Sequence, residues 1–120
     1  MELQVTPFQD SYRDAVVDLW YQVGLVSAHN DPSIDIEHKV RYQPELFFVG
    51  LAGGRVVATV MAGHEGHRGL LSYLAVVPEC QGLGMGRHML EHAERALSEL
   101  GCMKVNLQVR DSNLGVVGFY

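Results

Sequence analysis

The order of elements along this chain predicts an α/β domain with a mixed central sheet flanked by helices. Three observations carry that reading. An apolar run at residues 70–77 leads through a glycine-rich segment, 81–86, into an amphipathic pattern at 85–100. Two further apolar runs, 46–52 and 56–63, meet across Gly53-Gly54 as a β-hairpin would. Beyond the long helix, residues 104–109 alternate through Val105, Leu107 and Val109, so the sheet should be antiparallel at first and parallel across that crossover.

The elements follow in order. Leu3, Gln4, Val5 and Thr6 alternate as a short first strand. Between 11 and 23, Tyr12, Val16, Leu19, Trp20 and Val23 recur at helical spacing, with Asp10 as the expected N-cap. Asp31-Pro32 supplies a cap and a first-turn proline for a helix through about Tyr42. After the hairpin, residues 64–69 form a polar connection, the 70–77 run is too apolar for an exposed edge, and Pro78 ends it. In the long helix Met89, Leu90, Ala93, Leu97 and Leu100 make the buried stripe. Arg87, Glu91, His92, Arg95 and Glu99 face water, and Gly101 terminates the helix. Asp111-Ser112-Asn113 then caps a helix that has only begun at Tyr120.

At 120 residues with 48% hydrophobic and 19% charged residues, the chain can bury one core. A net charge of −5 argues against a broad nucleic-acid-binding face. No apolar stretch approaches the roughly 18 residues that a membrane helix requires, and the start Met1-Glu2-Leu3-Gln4 lacks a signal peptide's basic and apolar regions. Cys80 and Cys102 are too few for a disulfide framework. A cytoplasmic location is expected, with neither nucleic acid nor membrane as partner.

The glycine segment is the chemical signal. Glycines at a helix N-terminus let backbone N–H groups and the helix dipole face an anion, so a phosphorylated ligand belongs there. A P-loop needs Lys and then Ser or Thr after its last glycine; here Arg87-His88 follows. A dinucleotide site needs G-x-G-x-x-G and an acid roughly 20 residues on, whereas this loop is G-x-G-x-G and the far position holds Val105, Asn106 and Leu107. A third design fits. Gln81, Gly84 and Gly86, approached through residues 74–80, resemble the acetyl-coenzyme A loop (Q/R-x-x-G-x-G/A after a bulged strand) of the GCN5-related N-acetyltransferase (GNAT) superfamily. Asn113 and Tyr120, seven positions apart, resemble a second family feature. The run 30–39 and Gly66-His67-Arg68-Gly69 look like the bacterial YpeA-type branch.

The resemblance implies a GNAT-like fold over residues 1–120, with C-terminal strands of the family pattern missing, and acetyl-coenzyme A as co-substrate without a metal. It implies direct acetyl transfer to a primary amine on a small molecule, a peptide N-terminus or a lysine. The rival is a non-catalytic acyl-coenzyme A binding or sensing domain on the same fold. The pantetheine arm would lie along Leu74, Ala75 and Val76, entering where strands 70–77 and 104–109 splay apart, with the Val76 amide as oxyanion donor. Gln81, Gly82, Leu83, Gly84, Met85, Gly86 and Arg87 would hold the pyrophosphate. Asn113 would orient the coenzyme, and Tyr120 would act as general acid.

Some relatives that acetylate protein N-termini carry a Glu five positions before the matching Asn; here Gln108 stands there and takes no proton. His64 or Glu65 is then the candidate base, with His67 or a water chain as alternatives. His64-Glu65-Gly66-His67 is one residue short of H-E-x-x-H, so a metal is not expected. His29, His38, His88 and His92 read as surface residues. Asp31, Asp35, Glu37 and Glu65 would make an acidic acceptor mouth that draws cationic amines. An open edge at 104–109 would invite a second copy, giving a homodimer.

Overall fold

A computed structural model describes residues 2–107. Its elements are β1 (Gln4–Pro7), α1 (Arg13–Gln22), α2 (Pro32–Tyr42), β2 (Phe47–Ala52), β3 (Arg55–His64), β4 (Arg68–Val76), α3 (Met85–Glu99) and β5 (Lys104–Leu107). The strands form one sheet in the order β1-β2-β3-β4-β5. Every neighbouring pair is antiparallel except β4 and β5, which run parallel across the α3 crossover, as expected.

Local chemistry explains most boundaries. Asp31 caps α2 by accepting from the Ser33 and Ile34 amides, and Pro32 occupies the first turn, where its missing N–H costs nothing. Gly53 and Gly54 both take positive φ and turn the hairpin between β2 and β3. α3 ends in a Schellman arrangement: the Cys102 amide donates to Leu97 O, the Gly101 amide donates to Ser98 O, and Gly101 sits at φ +87°.

Four expectations are corrected. Asp10 does not cap a helix, because residues 10–12 form a 3-10 turn that places Asp10 inside it; its carboxylate instead accepts from Arg13 Nε at 2.9 Å. Arg68 and Gly69 already belong to β4, so the connection after β3 is only residues 65–67. Leu100 is exposed, since the chain leaves helical geometry there before its side chain turns inward. His92 is half-buried with its ring edge-on to Phe48, 4.7 Å between centroids, not a free surface residue.

The sheet is covered on both faces. β3 is its centre, with Val56 through Ala62 all buried. On one face α3 lies so close that a Cβ at Gly69 would sit 2.7 Å from Leu97 Cδ1, and one at Gly50 would sit 2.9 Å from Met89 Sδ. On the other face α1 packs through Trp20, which stacks on Phe47 and Tyr73. Among the described residues no helix is long and apolar enough to cross a membrane.

Candidate active site

The site is organised along β4. From Gly63↔Leu70 to Met61↔Ser72 the pairing with β3 is regular, and then it shifts by one residue to Thr59↔Ala75. Tyr73 and Leu74 therefore stand opposite Val60 alone, which is a β-bulge. Tyr73 bears the strain of it at φ +52°, a left-handed conformation that bulky residues seldom adopt.

Register then decides where the next amide points. The Val77 amide donates to Val57 O at 2.9 Å, so Val57 and Val77 form a hydrogen-bonded antiparallel pair. Ala58↔Val76 is the adjacent, non-hydrogen-bonded pair, and the Val76 N–H and C=O point away from β3. The carbonyl is taken by Gln81 Nε2, which donates at 3.0 Å. β5 pairs with β4 from Arg68↔Lys104 to Leu71↔Leu107, where its described part ends. Whether the two strands diverge farther on lies outside the described residues.

Leu74, Ala75 and Val76 are buried, and a 3-10 turn at Pro78–Cys80 carries the chain into the glycine loop. Gly82 and Gly84 take φ +83° and +82°, and a Cβ on either would meet no atom within 4 Å. These glycines are required by backbone conformation, not by crowding. Gly84 is the N-cap of α3 and offers no side chain; the first turn holds no acid. The N-cap thus supplies no side-chain cap, and the loop at Gly82 and Gly84 is exposed, an arrangement that leaves room for a diphosphate. Gln81, Gly82, Leu83, Gly84 and Arg87 are exposed, whereas Met85 and Gly86 are buried beneath them. The residues named from the motif therefore fit a phosphate-bearing co-substrate.

On the α1–α2 face, a cleft of about 400 Å³ runs beside the bulge. Lys39 and Tyr42 of α2 and Gln43, its C-cap, line it with His64, Glu65, Arg68, Leu70 and Ser72 of the β3–β4 hairpin. Lys39 donates to Ala62 O and to Gln43 Oε1, and burial pushes its ammonium below the usual lysine range, opposed by Glu45. His64 Nδ1 accepts the Gly66 amide at 3.1 Å. A neutral ring holding that bond carries its proton on Nε2.

The four acids expected at the acceptor mouth do not line one cleft: Asp31 and Asp35 line a separate one between α1 and α2. Only Glu65 of the four lines the cleft beside the bulge. Asp31 caps α2, Glu37 pairs with Arg13 at 2.6 Å, and Asp35 accepts from the Tyr73 hydroxyl. Asp31 serves its own helix, whereas Asp35 and Glu37 are held by partners far along the chain that the spacing of charges does not reveal. Gln108, Asn113 and Tyr120 lie outside the described residues. Among the described residues no three His, Cys, Asp or Glu side chains gather as a metal site would need.

Reading motifs missed Tyr73, Thr59 and Trp20. Trp20 Nε1 donates to Thr59 Oγ1 at 2.9 Å, and that hydroxyl donates to Tyr73 O at 2.8 Å. Thr59 is a polar residue in a central strand with no exposed surface, the one sequence-level hint that something there needs a hydroxyl.

Comparison with known proteins agrees with this architecture. The model of the acetyltransferase (GNAT) family matches residues 6–120. An acetyltransferase of Yersinia enterocolitica is 41% identical over 120 residues, covering 100% of this chain and 84% of the relative. A GNAT-family acetyltransferase structure from Staphylococcus aureus superposes with a TM-score of 0.85 at 14% identity, over 99% of this chain and 81% of that one. The PaiA N-acetyltransferase of Thermoplasma acidophilum, solved in complex with coenzyme A, gives a TM-score of 0.72 at 15% identity, over 100% of this chain and 87% of that one. With a bulged strand feeding a glycine loop at a helix N-terminus, and a family match over nearly its whole length, this chain belongs to the GNAT acetyltransferase family and is an N-acetyltransferase.

Proposed function

We propose that the protein moves an acetyl group from acetyl-coenzyme A directly to a primary amine held in the cleft between α2 and the β3–β4 hairpin. The observation that carries this is the continuity of β4. One strand runs from the cleft at Ser72, through the bulge, to the loop that opens α3. The coenzyme A bound by the Thermoplasma acidophilum protein supports the choice of donor.

Amides from Gly82 to Arg87 hold the pyrophosphate, and the Arg87 guanidinium adds charge. The pantetheine arm lies against Leu74, Ala75 and Val76. The amine nitrogen attacks the thioester carbon, and the Val76 N–H donates to the oxygen as it becomes negative. Collapse breaks the C–S bond, and Tyr120 protonates the departing thiolate while Asn113 orients the coenzyme. The proton lost by the amine leaves through Glu65 or through water at the open mouth. His64 is the poorer-placed acceptor because its Nδ1 lone pair is engaged by the Gly66 amide.

An amine panel tests the reading, with small polyamines, amino acids and lysine peptides, thiol release as readout and products weighed by mass spectrometry. Tyr120→Phe should lower kcat by about 10- to 100-fold with little change in coenzyme A affinity. Full activity in that variant would remove Tyr120 from the mechanism. Coenzyme A binding with no amine acetylated would overturn the transfer reading.

A further inference from the structure

We propose that Tyr73 is a positioning residue whose side chain clamps the β4 bulge and so sets the direction of the Val76 amide. The inference rests on the acetyl-transfer reading for its kinetic consequence, and on geometry alone for the clamp.

The register argument can be run in reverse. Above the bulge the hydrogen-bonded pairs add one residue fewer on β4: the Glu65 amide donates to Arg68 O at 3.2 Å, and Met61 opposes Ser72. Extending that register without a bulge would place Val76 opposite Val57, the residue whose carbonyl bonds the Val77 amide here. Val76 N–H would then point into β3 and serve the sheet. The extra residue is what turns it outward.

A tyrosine at φ +52° holds that conformation only if its surroundings over-determine it. They do. The ring stacks on Trp20 with centroids 4.0 Å apart and 27° between planes. The hydroxyl donates to Asp35 of α2 and accepts from Asn30 Nδ2 at 3.1 Å. Asn30 itself ties the α1–α2 connection, donating to Leu25 O and accepting from the Ser27 amide and hydroxyl. The Tyr73 carbonyl accepts from Thr59, which also holds Trp20. Three separate segments thus converge on one strained residue that no part of the proposed chemistry touches.

The test has two arms. In ligand-free protein, Tyr73→Phe keeps the stack and removes both hydroxyl bonds. Amide exchange at Ala75 and Val77 should quicken about tenfold, while Leu90 and Ala93 in α3 stay unchanged. With acetyl-coenzyme A and the amine chosen by the panel, kcat should fall about tenfold or more while the coenzyme A Kd moves less than about twofold, because the diphosphate seat is elsewhere. Asp35→Asn, which keeps an acceptor for the hydroxyl, should restore most of kcat relative to Asp35→Ala. Unchanged exchange at Ala75 and Val77 overturns the clamp. Quickened exchange with unchanged kcat overturns its positioning role, and uniform acceleration across α3 marks a merely structural residue. The exchange arm needs neither coenzyme nor amine, so it fails separately from the acetyl-transfer reading.

Discussion

Replacing Thr59 by Val isolates what one buried hydroxyl contributes. The two side chains are nearly isosteric, so no cavity opens, and Thr59 has no exposed surface through which water could substitute. The change takes a hydrogen-bond partner from two groups. Trp20 Nε1–H loses its acceptor at 2.9 Å inside a fully buried indole, and Tyr73 O loses its donor at 2.8 Å. Losing such a partner inside the fold costs each group about 1–3 kcal/mol. Burying a methyl in place of a hydroxyl returns about 0.8 kcal/mol. The expected net loss is about 1–5 kcal/mol, set against the roughly 5–15 kcal/mol typical of a folded domain. Equilibrium urea unfolding measures it, and Trp20 is the only tryptophan, so its fluorescence reports from the site itself. Thr59→Ser keeps both hydrogen bonds and should cost only about 1 kcal/mol for the lost methyl. A loss below about 1 kcal/mol in Thr59→Val, with an unchanged m-value, would refute the claim that this hydroxyl satisfies both groups.

Two further outcomes follow from other parts of the molecule. Gly84→Ala forces a side chain into φ +82°, costing about 1–2 kcal/mol at the α3 N-cap, and should raise the calorimetric coenzyme A Kd about tenfold. Gly53→Ala, at φ +59° in the hairpin turn, carries a similar backbone penalty and should leave that Kd alone; equal effects would dissociate the loop from binding. His92 is held below the usual imidazole range, first by burial and then by Arg95 and His88, with Glu99 opposing. Below the unfolded value near 6.5 the unfolded chain binds more protons than the native one, so stability declines as pH falls through that window toward the lower native value. His92→Gln should flatten this part of the profile. Parallel urea midpoints for both proteins between pH 7.5 and pH 5 (chosen to bracket about 6.5) would show the histidine makes no such contribution.

The acids of the acceptor side show where reading the chain reaches its limit. Asp31 was legible as a cap because its function is local: an oxygen, a proline and two amides within three residues. Asp35 and Glu37 looked like part of the same charged mouth, yet one faces Tyr73 and the other Arg13, partners 38 and 24 positions away. Charge spacing carries no information about which long-range partner a side chain finds. Leu100 and His92 fall under the same limit, one lost from the core by the end of its helix and the other drawn inward by Phe48.

By itself the sequence determined the order of elements, the hairpin across Gly53-Gly54, the proline-opened α2, the glycine-terminated α3 and the glycine loop at its N-terminus. Each depends on backbone preferences of residues within one or two turns of each other. Tertiary structure alone decided the position of the bulge, the outward turn of the Val76 amide and the lining of the cleft between α2 and the β3–β4 hairpin. Those depend on strand register, and register here is held by Trp20, Asn30, Asp35 and Thr59 meeting Tyr73 from distant parts of the chain. A one-residue shift in pairing leaves every local preference intact and reverses where the amides point.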